Sequence, residues 1–322
     1  MRALVTGAGG GIGLHLVRRL LQRGHHVTAV DNFSRGLRDD AVEALELEGI
    51  RFVTGDLTEY STWHDLGGPF EALFHLAAVN GTKNFYNAPV RVLRVNLIST
   101  LHAFEWASAG GAARVVWTSS SEAYAGLAEL GVLPLPTPEI VPLVVPDVAN
   151  TRFSYASSKI AGEALAQAYA AERGLPVVVV RPHNVYGPRM GYDHVIPEFI
   201  GRINNGESPL MLFGGEQTRS FCHVDDATEI LARLGEGSFP PGFTVHLGDG
   251  REEVRIEDLA RRLLRVMGRP EATANQPAPE GSVARRWPDT SRAETAVGYS
   301  PRVSLDEGLA ATAAWYTAHP RT

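Results

Sequence analysis

Short apolar runs alternate with helical stretches through the first half of the chain, and this alternation restricts the possible folds more than any other feature. The predicted strands are Arg2–Thr6, His26–Asp31, Arg51–Thr54, Ala72–His75, Arg114–Thr118 and Pro176–Arg181. The predicted helices between them are Leu14–Arg23, Asp40–Leu47, Pro89–Ala109 and Tyr155–Arg173. Several strands are almost continuously apolar, which is typical of strands covered on both faces. The alternation therefore predicts an α/β fold, a doubly wound parallel sheet with helices on both sides.

The pattern loosens after Arg181, where proline and glycine separate the predicted helices Val195–Asn204, Asp225–Leu234 and Ile256–Met267. We expect residues 1–181 to form the main domain, with residues 221–246 returning to it. Residues 182–220 and 247–322 are expected to form a smaller C-terminal lobe over the carboxyl edge of the sheet, where doubly wound folds bind ligands. Residues 126–150 contain five prolines and are expected to form a lid or an interface.

The composition disfavours several classes of protein. A net charge of −6 argues against a nucleic-acid partner, because binding phosphates needs a clustered basic surface. The single cysteine, Cys222, excludes an intrachain disulfide and a multi-cysteine metal site, and no metal is expected. No secretion signal or membrane-length apolar run is recognisable. We therefore expect a cytoplasmic protein with no membrane partner.

A glycine-rich turn, Thr6–Gly13, follows the first predicted strand and opens a helix. Gly7, Gly10 and Gly13 allow a tight turn, a close approach of backbone to a diphosphate and close packing of helix on strand. A plain glycine-rich turn is the alternative, whereas a P-loop is excluded because no Lys-Ser/Thr pair follows. Asp31 ends the second strand, where a carboxylate accepts hydrogen bonds from ribose hydroxyls and repels a 2′-phosphate. These residues predict a dinucleotide site that takes NAD rather than NADP.

Two later segments fit the same ligand. Asp56-Leu57 follows the third strand, where the carboxylate of Asp56 would meet the adenine amine, although a turn or helix-capping role is as good an explanation. Leu76-Ala77-Ala78 ends the fourth strand, and its small residues would let a cofactor lie close.

Tyr155 and Lys159 stand four positions apart on a predicted helix, so they share one face. A neighbouring ammonium favours phenolate and makes tyrosine a usable base. An ordinary surface pair is the alternative, but all of the 30 basic residues except Lys83 and Lys159 are arginine, and arginine would serve a salt bridge equally well. The run Thr118–Ser121 ends the fifth strand and would place a hydroxyl beside Tyr155. These groups predict hydride transfer between a sugar carbon and a nicotinamide.

In these motifs the chain resembles the extended short-chain dehydrogenases/reductases, specifically the NAD-dependent epimerase/dehydratase family that acts on nucleotide sugars. The matching pieces, in order, are Thr6-Gly-x-x-Gly-x-x-Gly13, Asp31-Asn32, Gly55-Asp56-Leu57, His75-Leu-Ala-Ala78, Asn96, Ser119-Ser120-x-x-x-Tyr124, Tyr155-x-x-x-Lys159, Arg181-Pro-x-Asn184-Val-Tyr-Gly-Pro188, Arg219-x-Phe-x-x-Val-Asp-Asp226 and Arg286-x-x-Asp289. The resemblance covers residues 1 to about 305 and implies a Rossmann-type sheet with a smaller C-terminal substrate-binding lobe.

The resemblance also implies roles for single residues. Ser120 would be the catalytic hydroxyl, Tyr155 the base and Lys159 its partner. The expected cofactor-binding residues are Gly7, Gly10, Gly11, Ile12, Gly13, Asp31, Asn32, Asp56, Leu57, Leu76, Ala77, Ala78, Asn96, Tyr155, Lys159 and Pro182. The expected substrate-binding residues are Ser121, Asn184, His194, Val195, Arg219 and one of Arg285 or Arg286, where guanidinium groups suit a diphosphate. Family members pair through the helices at 89–109 and 155–173, so a homodimer is expected.

The reaction is less constrained than the fold. We expect an epimerase that works through a 4-keto sugar. The alternative is a dehydratase or decarboxylase that uses Glu122 on the same 4-keto intermediate. A carboxylate there would abstract the C5 proton beside the new ketone, which allows elimination at C6 or inversion at C5, and a bystander role for Glu122 is an equal alternative. Ser121 stands where dehydratases of thymidine sugars have an aspartic acid, and His194 would bind a carboxylate, act as an acid or be a buried structural residue. A non-catalytic NAD-binding relative is disfavoured because Tyr155 and Lys159 are both present, and a hydrolase because neither GxSxG nor HExxH occurs.

Overall fold

The structure is a computed structural model that describes residues 1–278 and 282–321. The strands, in chain order, are β1 (Arg2–Thr6), β2 (His26–Asp31), β3 (Arg51–Thr54), β4 (Ala72–His75), β5 (Val115–Thr118), β6 (Val177–Pro182), β7 (Val185–Tyr186), β8 (Leu210–Phe213), β9 (Thr218–Arg219), β10 (Cys222–His223), β11 (Phe243–Leu247), β12 (Val254–Arg255), β13 (Thr273–Gln276) and β14 (Arg285–Arg286). The α-helices are α1 (Gly11–Gln22), α2 (Asp40–Leu47), α3 (Tyr60–Asp65), α4 (Thr82–Asn87), α5 (Pro89–Trp106), α6 (Ala125–Glu129), α7 (Ser154–Arg173), α8 (Val195–Asn204), α9 (Val224–Glu236), α10 (Ile256–Val266), α11 (Ser291–Val297) and α12 (Leu305–Ala318). Short 3₁₀ turns lie at Ser121–Tyr124 and Thr151–Phe153.

Seven parallel strands form the central sheet in the order β11-β6-β5-β4-β1-β2-β3. The predicted α/β doubly wound fold is confirmed. β1 to β4 have the predicted bounds, and β5 and β6 each begin one residue later than predicted. Helix α5 ends at Trp106, earlier than predicted, and a π-turn with Gly110 at a φ of 97° continues it to Gly111.

Helices cover both faces of the sheet. α5 and α7 pack together on one face, over a core that includes Trp63, Phe104 and Trp117, while α1 and α9 pack on the other. The approach of α7 to β5 depends on Gly162, because a Cβ there would stand 2.4 Å from the Trp117 ring. This close packing brings the start of α7 to the carboxyl end of β5, where Tyr155 meets the serine run.

The C-terminal half both returns to the sheet and builds its own core. β11 pairs in parallel with β6, so the sheet is completed by a strand about 60 positions later in the chain. Helices α8, α10 and α12 enclose a separate apolar cluster that includes Ile200, Leu259, Leu263 and Leu309. The division into lobes at the expected boundaries remains a prediction.

Residues 126–150 are mostly without helix or strand, apart from the end of α6. Their middle is fastened to the C-terminal half, because Thr137 N donates to the Trp287 carbonyl at 2.8 Å and Asp289 N donates to the Thr137 carbonyl at 2.8 Å. Across residues 1–278 and 282–321, no helix is long and apolar enough to cross a membrane.

Candidate active site

One cavity of about 500 Å³ at the carboxyl edge of the sheet collects most of the predicted site residues. The predicted residues that line it are Gly7, Gly10, Gly11, Ile12, Gly13, Asp31, Asn32, Asp56, Leu57, Leu76, Ala77, Ala78, Ser120, Ser121, Glu122, Tyr155, Lys159, Pro182, Asn184, His194 and Arg286. Asn96, Val195, Arg219 and Arg285 do not line it. Within the described part of the chain, no cluster of three or more His, Cys, Asp or Glu side chains has the geometry of a metal site.

The glycine turn leaves room and donors for a dinucleotide. Gly7 has a φ of 68°, and a Cβ there would stand 2.8 Å from Ala77 N, so the turn lies directly against the end of β4. Gly10 precedes α1 without a side chain to cap it, which leaves the N–H groups of the first helical turn to a ligand. Gly13 packs against the turn itself, since a Cβ there would stand 2.1 Å from the Gly7 carbonyl oxygen. These residues fit the diphosphate of a bound dinucleotide.

Asp31 is fixed at the end of β2 by two backbone donors. Gly9 N donates to its Oδ2 at 2.9 Å and Phe33 N to its Oδ1 at 2.7 Å. The carboxylate is buried but lines the cavity. Because each carboxylate oxygen has further acceptor capacity, Asp31 fits a ribose diol.

Among the other expected cofactor residues, Leu76, Ala77 and Asp56 line the cavity and Asn96 does not. Leu76 and Ala77 donate through their backbone N–H to Thr6 Oγ1 at 3.1 and 3.3 Å, which brings the end of β4 beside the glycine turn. Asp56 Oδ1 accepts from Thr58 N at 2.8 Å, so the turn role is realised here. Asn96 was expected to contact the cofactor, but it lies outside the cavity and exchanges hydrogen bonds of 2.7 and 3.1 Å with the backbone of Val79. It therefore supports the chain after β4 rather than the ligand.

Tyr155, Ser120 and Lys159 all line the cavity, and the Ser120 side chain is hydrogen-bonded to Tyr155. Burial raises the pKa of Tyr155 to about 12, while hydrogen bonds from the side chains of Ser120 and Asn80 lower it. Burial lowers the pKa of Lys159 to about 7. The Lys159 ammonium donates to the Thr118 carbonyl at 2.7 Å and lies 5.7 Å from the centroid of the Tyr155 ring. The expected lowering of the Tyr155 pKa by Lys159 is therefore not realised in this structure, because burial dominates and the ammonium is turned to a carbonyl.

Arg181 and Glu163 form a buried ion pair next to these residues. Arg181 donates to Glu163 through Nε at 2.8 Å and Nη2 at 2.5 Å, and Ser119 Oγ donates to Glu163 Oε1 at 2.5 Å. Glu163 stands one turn after Lys159 on α7, and its charge opposes the effect of burial on the pKa of that lysine. The pair thus ties α7 to the ends of β5 and β6.

Glu122 lines the cavity and lies next to two arginines. Arg286 Nη2 donates to its Oε1 at 2.6 Å, and Arg152 Nη1 lies 4.0 Å from its Oε2. Burial opposes ionisation of Glu122, but the charges of Arg286, Arg152 and Arg219 hold the pKa of the carboxyl below its usual value. Glu122 is therefore a carboxylate near neutral pH.

The expected substrate contacts are only partly brought together. Of the two candidate arginines it is Arg286 that lines the cavity, since Arg285 is paired with Glu253 at 2.6 Å on the surface. Arg219 is turned away, with Nη1 donating to the Thr218 carbonyl at 2.8 Å and Nη2 to the Val283 carbonyl at 2.6 Å. Asn184 also donates to a backbone carbonyl, that of Ser220, at 2.9 Å.

His194 lines the cavity just before α8, whereas Val195, the first residue of that helix, does not. Burial and the charge of Arg35 lower the pKa of His194, so its ring is neutral at pH 7. A neutral imidazole favours hydrogen bonding over the expected role as an acid.

Three site residues, Arg152, Asn80 and Phe85, escaped the sequence analysis as parts of this centre. Arg152 lies beside Glu122, Asn80 bonds Tyr155 and Arg35, and Phe85 stacks on Tyr155. The segment Asn80–Asn87 between β4 and α5 contained the signal, because it places polar and aromatic residues shortly after the carboxyl end of the central strand β4. Arg152 has a weaker signal, a basic residue three positions before Tyr155.

Proteins of known activity resemble this chain over nearly its whole length. Residues 3–243 match the model of the NAD dependent epimerase/dehydratase family. The UDP-N-acetyl-alpha-D-glucosaminuronate decarboxylase of Bacillus cytotoxicus is 31% identical over 98% of this chain and 97% of its own. The UDP-glucose 4-epimerase of Mycolicibacterium smegmatis is 32% identical over 98% of both chains. The crystal structure of a dTDP-glucose 4,6-dehydratase from Streptomyces venezuelae, solved with NAD, has a TM-score of 0.86 and 28% identity, covering 99% of this chain and 98% of its own.

Proposed function

This chain belongs to the NAD-dependent epimerase/dehydratase family, and on that basis we propose that it is a nucleotide-sugar epimerase that acts through transient oxidation to a 4-keto sugar. Enzymatic activity with NAD on sugar nucleotides is common to the family and its relatives. Choosing an epimerase goes beyond the family assignment, because a decarboxylase, a 4-epimerase and a 4,6-dehydratase have similar sequence identity to this chain.

One observation supports oxidation most strongly. Tyr155, Ser120 and Lys159 meet in the same cavity as the glycine turn and Asp31. Bound NAD would accept the hydride from C4 of the sugar and return it. Tyr155 would take the proton of the C4 hydroxyl on its phenol oxygen, with the Ser120 hydroxyl holding the sugar oxygen beside it. Lys159 would favour phenolate once its ammonium turns from the Thr118 carbonyl, to which it donates in the structure, towards the phenol oxygen.

A second candidate rests on Glu122. Its carboxylate lines the cavity and is ionised, so a base stands at the sugar end of the site before any substrate enters. Once C4 is a ketone, the C5 proton becomes acidic, and removal by Glu122 would lead to elimination or to inversion at C5. The same 4-keto sugar would lose CO₂ if it carried a C5 carboxylate. This candidate is a dehydratase or decarboxylase.

The test is a product analysis. Purified protein is mixed with NAD and UDP-, dTDP-, GDP- and CDP-sugars in deuterated water, and products are followed by NMR and mass. Inversion at C4 without deuterium incorporation is the expected result. Loss of water or CO₂ would favour the second candidate, and deuterium at C5 without such loss would mean C5 inversion. Tyr155→Phe should abolish turnover, whereas the control Tyr169→Phe, on the same helix outside the cavity, should not.

We also propose a homodimer through α5 and α7. Val90, Leu97 and Leu101 are spaced along one face of α5, and each is exposed. A second copy of the chain would cover this apolar stripe. A cytoplasmic location belongs to the same proposal, since a chain whose one cysteine is buried and free needs no oxidising compartment.

A further inference from the structure

The carboxylate of Glu122 lies between two guanidinium groups, each of which faces a different carboxylate oxygen. Arg286 Nη2 donates to Oε1 at 2.6 Å, and Arg152 Nη1 faces Oε2 across 4.0 Å. All three side chains are largely buried, with 19%, 15% and 14% of the Glu122, Arg286 and Arg152 side chains exposed. One oxygen therefore has a close partner and the other has a charged neighbour just beyond hydrogen-bond reach.

Arg152 has donors that the rest of the chain leaves unused. Its Nη1 is buried and has no hydrogen-bond partner within residues 1–278 and 282–321. Its guanidinium carbon lies 5.3 Å from the centroid of the Phe153 ring, and its backbone N donates to Asn150 Oδ1 at 3.0 Å. A buried N–H without a hydrogen-bond partner is unfavourable. We therefore expect an acceptor to approach Arg152 Nη1 during function. Glu122 Oε2 is the charged acceptor nearest to it.

The diphosphate of a nucleotide sugar would compete with Glu122 for Arg286, and this step rests on the proposed function. A nucleotide sugar carries a diphosphate, which guanidinium groups bind through two parallel hydrogen bonds. Arg286 is available in the cavity, whereas the donors of Arg219 are turned to backbone carbonyls. When Arg286 turns to the phosphates, Glu122 loses its 2.6 Å partner. A buried carboxylate without a cation would then tend to take up a proton and lose its function as a base.

We propose that Arg152 is the positioning residue that takes over the carboxylate of Glu122 when Arg286 binds the diphosphate of the substrate. A movement of about 1 Å brings Oε2 to the distance of a charge-assisted hydrogen bond. Ser120 need not move, because its Oγ accepts from the backbone N of Glu122 at 3.1 Å and only the Glu122 side chain turns. The exchange keeps Glu122 ionised while the substrate is bound.

The charged and titratable groups around Glu122 come from four elements. Arg286 faces it from β14, Arg219 from β9, Arg152 from the 3₁₀ turn at 151–153 and Tyr155 from α7. The arginines favour the carboxylate, and the Glu122 charge in turn raises the pKa of Tyr155. With Arg286 engaged by phosphate, Arg152 is the closest remaining cation.

The experiment measures the ionisation of Glu122 directly. Protein labelled with ¹³C at the glutamate carboxyl carbons is titrated by NMR with NAD, with and without saturating UDP, dTDP, GDP or CDP as the diphosphate probe. The Glu122 resonance is identified by its loss in Glu122→Gln. In the unaltered protein, its pKa should stay low with and without the nucleotide. In Arg152→Met, the pKa should rise by one unit or more only when the nucleotide is bound, and Arg152→Lys should restore the low value.

Each other outcome has a definite meaning. Binding of a nucleotide with the same Glu122 pKa in Arg152→Met and the unaltered protein overturns this inference alone. A rise of equal size without the nucleotide also overturns it, because Arg152 would then act on the free protein. Failure of all four nucleotides to bind overturns the proposed function together with this inference. If Arg152→Met does not fold, Arg152→Lys decides, since a higher pKa in its complex contradicts a takeover by charge. Arg202→Met, which removes the partner of Glu207 outside the cavity, is the matched control.

Discussion

The ring of Tyr155 stacks on the ring of Phe85, with centroids 5.1 Å apart and planes inclined by 10°. Phe85 belongs to α4, which packs against the start of α7, and both rings are buried with Val79 and Val92. The Tyr155 phenol is thus held by packing from a second element as well as by its own helix. Displacing it by 1 Å lowers rates by up to about 100-fold.

Phe85→Leu should therefore lower kcat by about tenfold with a smaller change in KM, because its main effect is to loosen the phenol. Steady-state kinetics on the substrate found in the product screen measure this. Tyr86→Leu is the matched control, because Tyr86 is the neighbouring aromatic residue and is half exposed. Equal losses in both variants would contradict the positioning role of Phe85.

Lys159→Met should stabilise the cofactor-free protein below neutral pH. Burial lowers the pKa of Lys159 to about 7, whereas an unfolded lysine titrates near about 10.4. Between these values the unfolded chain binds more protons, so the free energy of unfolding rises with pH. At pH 6 the buried ammonium costs at most about 5 kcal/mol. Urea unfolding at pH 6, 8 and 10 measures this effect. The free energy of unfolding of Lys159→Met should exceed that of the unaltered protein by an amount that shrinks as pH rises, whereas Lys83→Met, at an exposed lysine, should show no such gain.

Asp31→Ala should shift cofactor preference from NAD towards NADP. The carboxylate that repels a 2′-phosphate is removed, and so are the acceptors for Gly9 N and Phe33 N. We expect NAD affinity to fall about tenfold, which corresponds to the loss of one charged hydrogen bond, and NADP affinity to change less. Calorimetric titration with both cofactors measures the ratio. An unchanged ratio, as expected for the exposed Asp40→Ala, would show that Asp31 does not face the ribose.

Glu163→Ala should destabilise the fold by about 3 to 5 kcal/mol, because it leaves the Arg181 guanidinium buried without its ion-pair partner. Denaturant unfolding gives the value. Glu172→Ala removes an exposed carboxylate from the same helix and should change stability by less than about 0.5 kcal/mol. Comparable losses in the two variants would mean that the buried pair contributes nothing specific.

Replacing Leu97 and Leu101 together by glutamate should convert a dimer into a monomer, since charges would then lie in the apolar stripe on α5. Sedimentation velocity distinguishes the two states. Leu47→Glu changes a leucine that is 90% exposed on α2 and should leave the dimer intact. A monomeric starting protein would rule the proposed dimer out.

The sequence predicted those features that follow from local spacing. The apolar runs located every strand from β1 to β6 to within a residue, because all of these strands except the edge strand β3 are mainly apolar and buried. Tyr155 and Lys159 were recognisable because four positions on a helix place two side chains on one face, and because lysine is rare in this chain.

Features that depend on contacts distant in sequence were not predictable. Arg285 and Arg286 are neighbours, and only the register of the two-residue strand β14 on β9 decides which one faces the cavity. Asn96 and Arg219 had suitable chemistry for ligands but are turned to backbone groups after folding. The partnership of Arg152 with Glu122 joins residues 30 positions apart that only the packing of α7 brings together.

The late return of β11 to the sheet has a consequence for synthesis of the chain. Until residues 243–247 leave the ribosome, β6 presents an unpaired edge with four consecutive valines, Val177 to Val180. Such an edge is a template for aggregation. Nascent chains that stall before Phe243, and truncated forms that end there, are therefore the species most in need of a chaperone, although Ser120, Tyr155 and Lys159 have already been made.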